Sequence, residues 1–274
     1  MGIFAGTCGI LVDNILNVSL YFVIPGFFFW INLGIFSVLA ESNKKIINHN
    51  LFSKIAAVFL ILLSFSGIIH YTRIFIAEKD YFTGFNLVKN PNIPLESSVV
   101  YLERAHKNRR LEVNTNYELA NTYARISAQY RYAGNMEKAE DFQKKAIWAY
   151  KESLAANPGY DEIYFNLATI QSQRREFDSA LENYKRAVFI NPHSSDGLST
   201  LGNLYLSKGE LFAARNAFRQ SLHINPLNKD IWNNLGYVNM KLGFKDEARD
   251  AYQKALEIDP NFDMARKNLF NLPR

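Results

Sequence analysis

Two hydrophobic rhythms divide the chain. Along residues 3–40 and again along 55–76 apolar side chains run almost continuously, whereas from about residue 95 they recur every three or four positions between charged residues. The first pattern predicts helices buried on all sides, and the second predicts helices with a single apolar stripe. "IAAVFLILLSFSGI" opens a run from Ile55 to Ile76 that is about 22 residues long and ends in His70, Tyr71 and Arg73. At about 1.5 Å per residue it is long enough for a hydrocarbon core of roughly 30 Å, so a transmembrane helix is expected at about 53–76. Residues 3–40 are longer than one span needs, and Pro25-Gly26 interrupts them. A helical hairpin turning there is the preferred reading over one tilted span, because proline removes a backbone donor. Asp13, Asn14 and Asn17 form a polar patch in its first arm. A charged side chain at mid-bilayer costs roughly 2.5–3.5 kcal/mol, so these residues are expected to pack against other helices.

The second rhythm has a longer period. Residues 161–194, 195–228 and 229–262 align without gaps as blocks of 34. Position 4 is Tyr164, Leu198 or Trp232, and position 7 is Leu167, Leu201 or Leu235. Position 8 is small (Ala168, Gly202, Gly236), position 20 is always Ala (180, 214, 248), position 24 is aromatic (Tyr184, Phe218, Tyr252), and position 32 is Pro192, Pro226 or Pro260. Small residues at two fixed places let paired helices approach, large ones fill the gap, and the proline ends the second helix. One such hairpin cannot bury its own apolar face, so neighbours must stack. The pattern resembles the tetratricopeptide repeat.

Upstream the frame stretches. Gly134 and Ala139 fit positions 15 and 20, but Pro158 arrives seven residues late and "YELANTY" (117–123) starts early. An elongated hairpin is therefore expected at 113–158, with helices near 113–133 and 136–156. "LESSVVYLERAHKN" (95–108) reads as the second helix of a degenerate half repeat, 95–110. Residues 78–94, ending in "NPNIP", read as an extended linker, and 263–272 as a capping helix. The expected fold is all-α: a membrane region at 1–77, then a solenoid of antiparallel helix hairpins at 95–274.

Charge refines this picture modestly. The +5 formal charge splits into +2 before residue 78 and +3 after it. No basic run suits a phosphate backbone, and "HKNRR" (106–110) reads as a solvated helix end, so nucleic acid is not an expected partner. Lys44, Lys45 and Lys54 between the apolar segments place that loop in the cytoplasm, and hence the repeats on the far side of a cytoplasmic (inner) membrane. Cys8 is the single cysteine, and the five histidines are scattered without i, i+4 pairing. No metal site, cofactor or catalytic residue is expected.

The repeat resemblance implies a concave face lined by first helices. On it Phe165, Thr169, Gln173, Asn203, Leu206, Asn233, Tyr237 and Met240 form an expected peptide groove. A second resemblance concerns "GILVDNILNVSLYFVIPGFFFWINLGIFSVLA" (9–40), which is similar to the closing transmembrane hairpin of O-antigen ligase and polymerase-like membrane proteins. That likeness implies a many-helix glycosyltransferase acting on lipid-linked glycans, of which this chain would be a fragment or a subunit. The main expectation is a membrane-anchored scaffold that binds protein or peptide segments, touches the lipid bilayer, packs other membrane helices on Asp13 and Asn17, and has no activity of its own. The glycosyltransferase part is the alternative, and an anchor for pilus or secretion assembly is a third reading.

Overall fold

The computed structural model describes residue 34 and residues 51–272, with the side chains at 51–54, 56, 57, 60 and 61 left aside. The expected hairpin at 3–40 and its polar patch lie outside the described residues. Along 51–272 the chain forms α1 (Leu51–Lys89), α2 (Glu96–Asn108), α3 (Val113–Tyr132), α4 (Met136–Ala156), α5 (Asp161–Gln173), α6 (Phe177–Ile190), α7 (Ser195–Ser207), α8 (Leu211–Ile224), α9 (Lys229–Leu242), α10 (Lys245–Ile258) and α11 (Asp263–Phe270). It divides into two compact units between Thr122 and Tyr123, inside α3.

In the first unit the expected linker is largely helix. α1 continues through residues 78–89, and only the turn from Asn90 to Leu95 separates it from α2. The end of α1 packs against α2 as a paired helix. A Cβ on Gly84 would stand 2.8 Å from Leu102 Cγ, so glycine lets the two helices touch. Ala77, Val88, Leu95, Leu102 and Ala105 are buried in this pair. The buried Asp80 carboxylate accepts from Arg104 Nε at 3.1 Å and also from its Nη2. The sequence hid this pairing because Leu102 follows Gly84 by two residues more than Phe218 follows Gly202. Nearby, burial and then the charges of Glu118 and Glu112 push the Tyr81 phenol pKa up.

Among the described residues, no helix is long and apolar enough to cross a membrane. The span expected at 53–76 is therefore not found there, although it includes side chains outside the described set. The described part of that segment is unusual in another way. Ile55, Val58, Phe59, Leu62, Leu63, Phe65 and Ile69 all stand more than half exposed, with Phe59 and Leu62 at 63%.

The second unit is a row of helix hairpins. Phe218 lies on Gly202 and Tyr252 on Gly236, where an added Cβ would come within 2.7 and 2.6 Å of the respective rings. Ala180, Ala214 and Ala248 at position 20 are fully buried. Successive hairpins share apolar clusters. Leu201 and Leu204 of α7 pack with Ala180 and Tyr184 of α6, while Ile231, Leu235 and Val238 of α9 pack with Phe218 and Leu222 of α8. The elongated hairpin α3/α4 closes differently. Ser127 donates to the Ala139 carbonyl at 2.6 Å, and Phe142 stacks on Tyr130.

Polar clasps join the two ends of each hairpin. Asn191 donates to Asp161 at 2.8 Å, Ser195 and Ser221 share a hydroxyl hydrogen bond of 2.9 Å, and Lys229 pairs with Asp259. The hydrogen bond from Lys229, then that from the Asn261 backbone, holds the Asp259 carboxyl below its ordinary range. This group contributes stability above the unfolded carboxylate pKa and loses it as pH falls through the depressed folded value. Access of solvent to both partners of this surface pair keeps the contribution small. Helix starts are capped by Asn135, Ser194 and Asn228, whose side chains accept from backbone N–H groups of the first turn.

The turn inside each hairpin needs one left-handed residue. Gly134, Gly209 and Gly243 supply it at φ 79°, 76° and 86°, but Arg175 fills the same position at φ 62°. A side chain there carries strain of order 1–2 kcal/mol that glycine avoids. Replacing Arg175 by Gly is expected to raise stability by about 1 kcal/mol, read as a higher thermal midpoint in circular dichroism.

Candidate functional site

The first helices α5, α7 and α9 carry all eight expected groove residues, yet the structure uses them in two ways. Gln173, Asn203 and Tyr237 stand exposed, Tyr237 at 36%. Thr169 is half-buried. Phe165 meets Tyr184 edge-on with centroids 5.3 Å apart and packs on the Ala168–Leu204 cluster. Leu206 packs on the Phe218 cluster and Met240 on Tyr252 and Leu272. Asn233 departs furthest from the expectation. It is 3% exposed, and its Oδ1 accepts from Asn268 Nδ2 of α11 at 2.9 Å. The capping helix lies against α9 and takes up this amide.

Amides also link neighbouring first helices. Asn234 Nδ2 donates to Asn203 Oδ1 at 3.0 Å, and Arg131 Nη1 donates to Gln173 Oε1 at 3.2 Å. Each link leaves amide groups of Asn203 and Gln173 with further hydrogen-bonding capacity at an exposed surface. Lys241 Nζ lies 5.4 Å from the Tyr237 ring centroid, which adds a cation beside the exposed phenol. The sequence did not single out Asn234, Arg131 or Asn268 for these contacts, because they depend on the lateral register of adjacent repeats.

Behind this surface sit the position-24 rings. The Thr169 hydroxyl lies 3.0 Å from the Phe165 carbonyl, to which it donates, and 2.9 Å from the Tyr184 hydroxyl. Tyr184 therefore donates to Thr169, and its buried phenol is satisfied. Among the described residues no group of three His, Cys, Asp or Glu side chains converges as metal ligands would. What the surface offers is amide, phenol and ammonium groups over an apolar backing, a chemistry of binding.

Thr169→Ala removes the acceptor and strands the Tyr184 hydroxyl. A loss of about 1–3 kcal/mol is expected, while Thr169→Ala combined with Tyr184→Phe should recover part of it; thermal unfolding of the three variants provides the comparison.

Two tetratricopeptide-repeat family models match, one over residues 118–190 and the other over residues 199–261. No curated protein matches the chain. Among solved structures, a crystal structure of MamA is 23% identical, with 60% of this chain and 88% of that one aligned at a TM-score of 0.51. MamA from Desulfovibrio magneticus RS-1, from residue 41 to its end, is 14% identical over 69% of this chain and 97% of that one, at a TM-score of 0.57. YrrB, described as a TPR protein with an unusual peptide-binding site, is 19% identical over 63% of this chain and 81% of that one, at a TM-score of 0.52. The resemblance of residues 9–40 to O-antigen ligase and polymerase-like proteins gains no support, since both family matches fall within the repeats. Helices at this spacing, with small residues where each pair touches, are those of an all-α solenoid, and the chain carries tetratricopeptide repeats.

Proposed function

We propose that the repeats present a protein- or peptide-binding surface on their first helices, and that the apolar start of α1 holds this surface at a membrane. The carrying observation for binding is the exposed series Gln173, Asn203 and Tyr237, drawn from three successive first helices and backed by packed apolar residues. Amides can meet the backbone of an extended segment, and the phenol ring adds apolar contact area at low entropic cost. The peptide-binding site named for YrrB, a protein of similar fold, supports the same use of the array. On this reading the chain acts by gathering partners and has no catalytic step of its own.

The membrane half rests on a separate observation. Large apolar side chains along residues 55–69 stand exposed on α1, an arrangement that water penalises by about 25 cal/mol per Å² of apolar surface and that lipid accepts. The helix then runs without a break into its pairing with α2, so the anchor and the first unit would share one rod. Lys44, Lys45 and Lys54 support an orientation with the repeats outside the cytoplasm.

Random peptides displayed on phage and panned on the full chain in detergent are expected to yield binders. Combined Asn203→Ala and Tyr237→Ala should weaken those binders at least about tenfold with unchanged helicity, as expected for the loss of roughly 1.4 kcal/mol at the surface. Failure to enrich any binder would reject the peptide reading. For the anchor, the chain should pellet with membranes and resist alkaline carbonate. Leu62→Lys with Leu63→Glu should release it, and an alkaline phosphatase domain joined after the last repeat should be active outside the cytoplasm. Recovery of the unaltered chain in the aqueous fraction without detergent would reject the anchor.

A further inference from the structure

The three aromatic residues at position 24 do the same packing job with different polar ends. Tyr184 has a hydroxyl that Thr169 receives. Phe218 has none, so the packing on the position-8 residue does not require one. Tyr252 has a hydroxyl, is 0% exposed, and its oxygen has no hydrogen-bond partner among the described residues. Position 9, from which Thr169 meets Tyr184, is here Tyr237. The Tyr252 ring lies against Gly236, the residue preceding Tyr237, and Tyr237 is near enough to act electrostatically on its phenol. Burial, and then the neighbouring Tyr237, push the Tyr252 phenol up to about 12, so it keeps its proton at any ordinary pH.

A buried donor left unpaired is destabilising, and phenylalanine at the same place avoids that cost in the preceding repeat. We propose that Tyr252 is the hidden donor of a peptide subsite: an extended segment seated on Tyr237 turns that ring aside, and the Tyr252 hydroxyl donates to a main-chain carbonyl of the segment. The proposal rests on the peptide-binding reading above. Met240, Leu269 and the buried Leu272 pack around Tyr252, and such an apolar setting favours a neutral acceptor over an ionised one. Lys241, beside Tyr237, flanks the approach. A main-chain carbonyl is the acceptor every extended segment offers, so the subsite reads backbone position rather than side-chain identity.

The test uses the peptides enriched on the full chain, resynthesised, with wild type, Tyr252→Phe and Tyr184→Phe compared in detergent. Tyr252→Phe should weaken them about five- to tenfold while its thermal midpoint stays equal or rises. Tyr184→Phe, which removes a satisfied hydroxyl away from the subsite, should leave affinity unchanged. Replacing peptide amides by esters one at a time weakens the carbonyl as an acceptor. One such position should lower affinity for wild type and have no effect on Tyr252→Phe. Equal affinity of wild type and Tyr252→Phe would overturn the subsite and leave peptide binding standing, as would an ester scan in which no position couples to residue 252. If no peptide is enriched at all, both readings fall.

Discussion

Everything in the repeat unit depends on how closely two helices of a hairpin can approach. Where Phe218 lies on Gly202 and Tyr252 on Gly236, there is no space for even one extra carbon between ring and backbone. That contact sets the spacing of each pair, and the pair then offers the next hairpin a surface that only a matching pair can cover. The fully buried alanines at position 20 serve the same approach from the other helix. Because each hairpin touches chiefly its neighbours, stability is distributed along the array rather than concentrated in one centre. The first unit repeats the principle with Gly84 and Leu102, and adds an Arg104–Asp80 pair that a buried carboxylate requires.

The same packing determines which groups are left for recognition. A first-helix side chain can face the core, its own second helix or solvent, and the array spends many of them on itself. Phe165, Leu206 and Met240 are apolar and join nearby clusters. Asn233 is polar but is claimed by Asn268 of the capping helix. Exposed Gln173, Asn203 and Tyr237 remain: the first two meet a polar group from an adjacent helix, and Tyr237 has Lys241 of its own helix beside its ring. Recognition in such a surface is a by-product of stacking: the register that buries the apolar residues also brings these groups together.

Position 24 shows how small differences between repeats acquire chemical meaning. The three rings fill equivalent spaces, yet one hydroxyl is satisfied, one is absent and one is enclosed without a partner among the described residues. Packing alone is indifferent to that oxygen, whereas hydrogen bonding is not. Repetition supplies its own control, since Phe218 marks what the scaffold needs and Tyr252 what it carries beyond that need.

The sequence spells out the helix pairs at 161–262, because spacing, small residues and terminal prolines all encode local geometry in one dimension. It also marked the elongated hairpin, through the early start at 117–123 and the late Pro158. The helical character of residues 78–89 escaped it, since polar residues following an apolar run look alike in a linker and in a helix, and the Gly84–Leu102 contact departs from the repeat spacing. Candidate groove positions could be enumerated by frame, but their fates could not. Whether Asn233 meets solvent or Asn268, and whether a Tyr hydroxyl meets Thr169 or nothing, depends on the distance between helices remote in sequence. Those outcomes are set by packing in three dimensions, because hydrogen bonds are won or lost over tenths of an ångström that no pattern of residue types specifies.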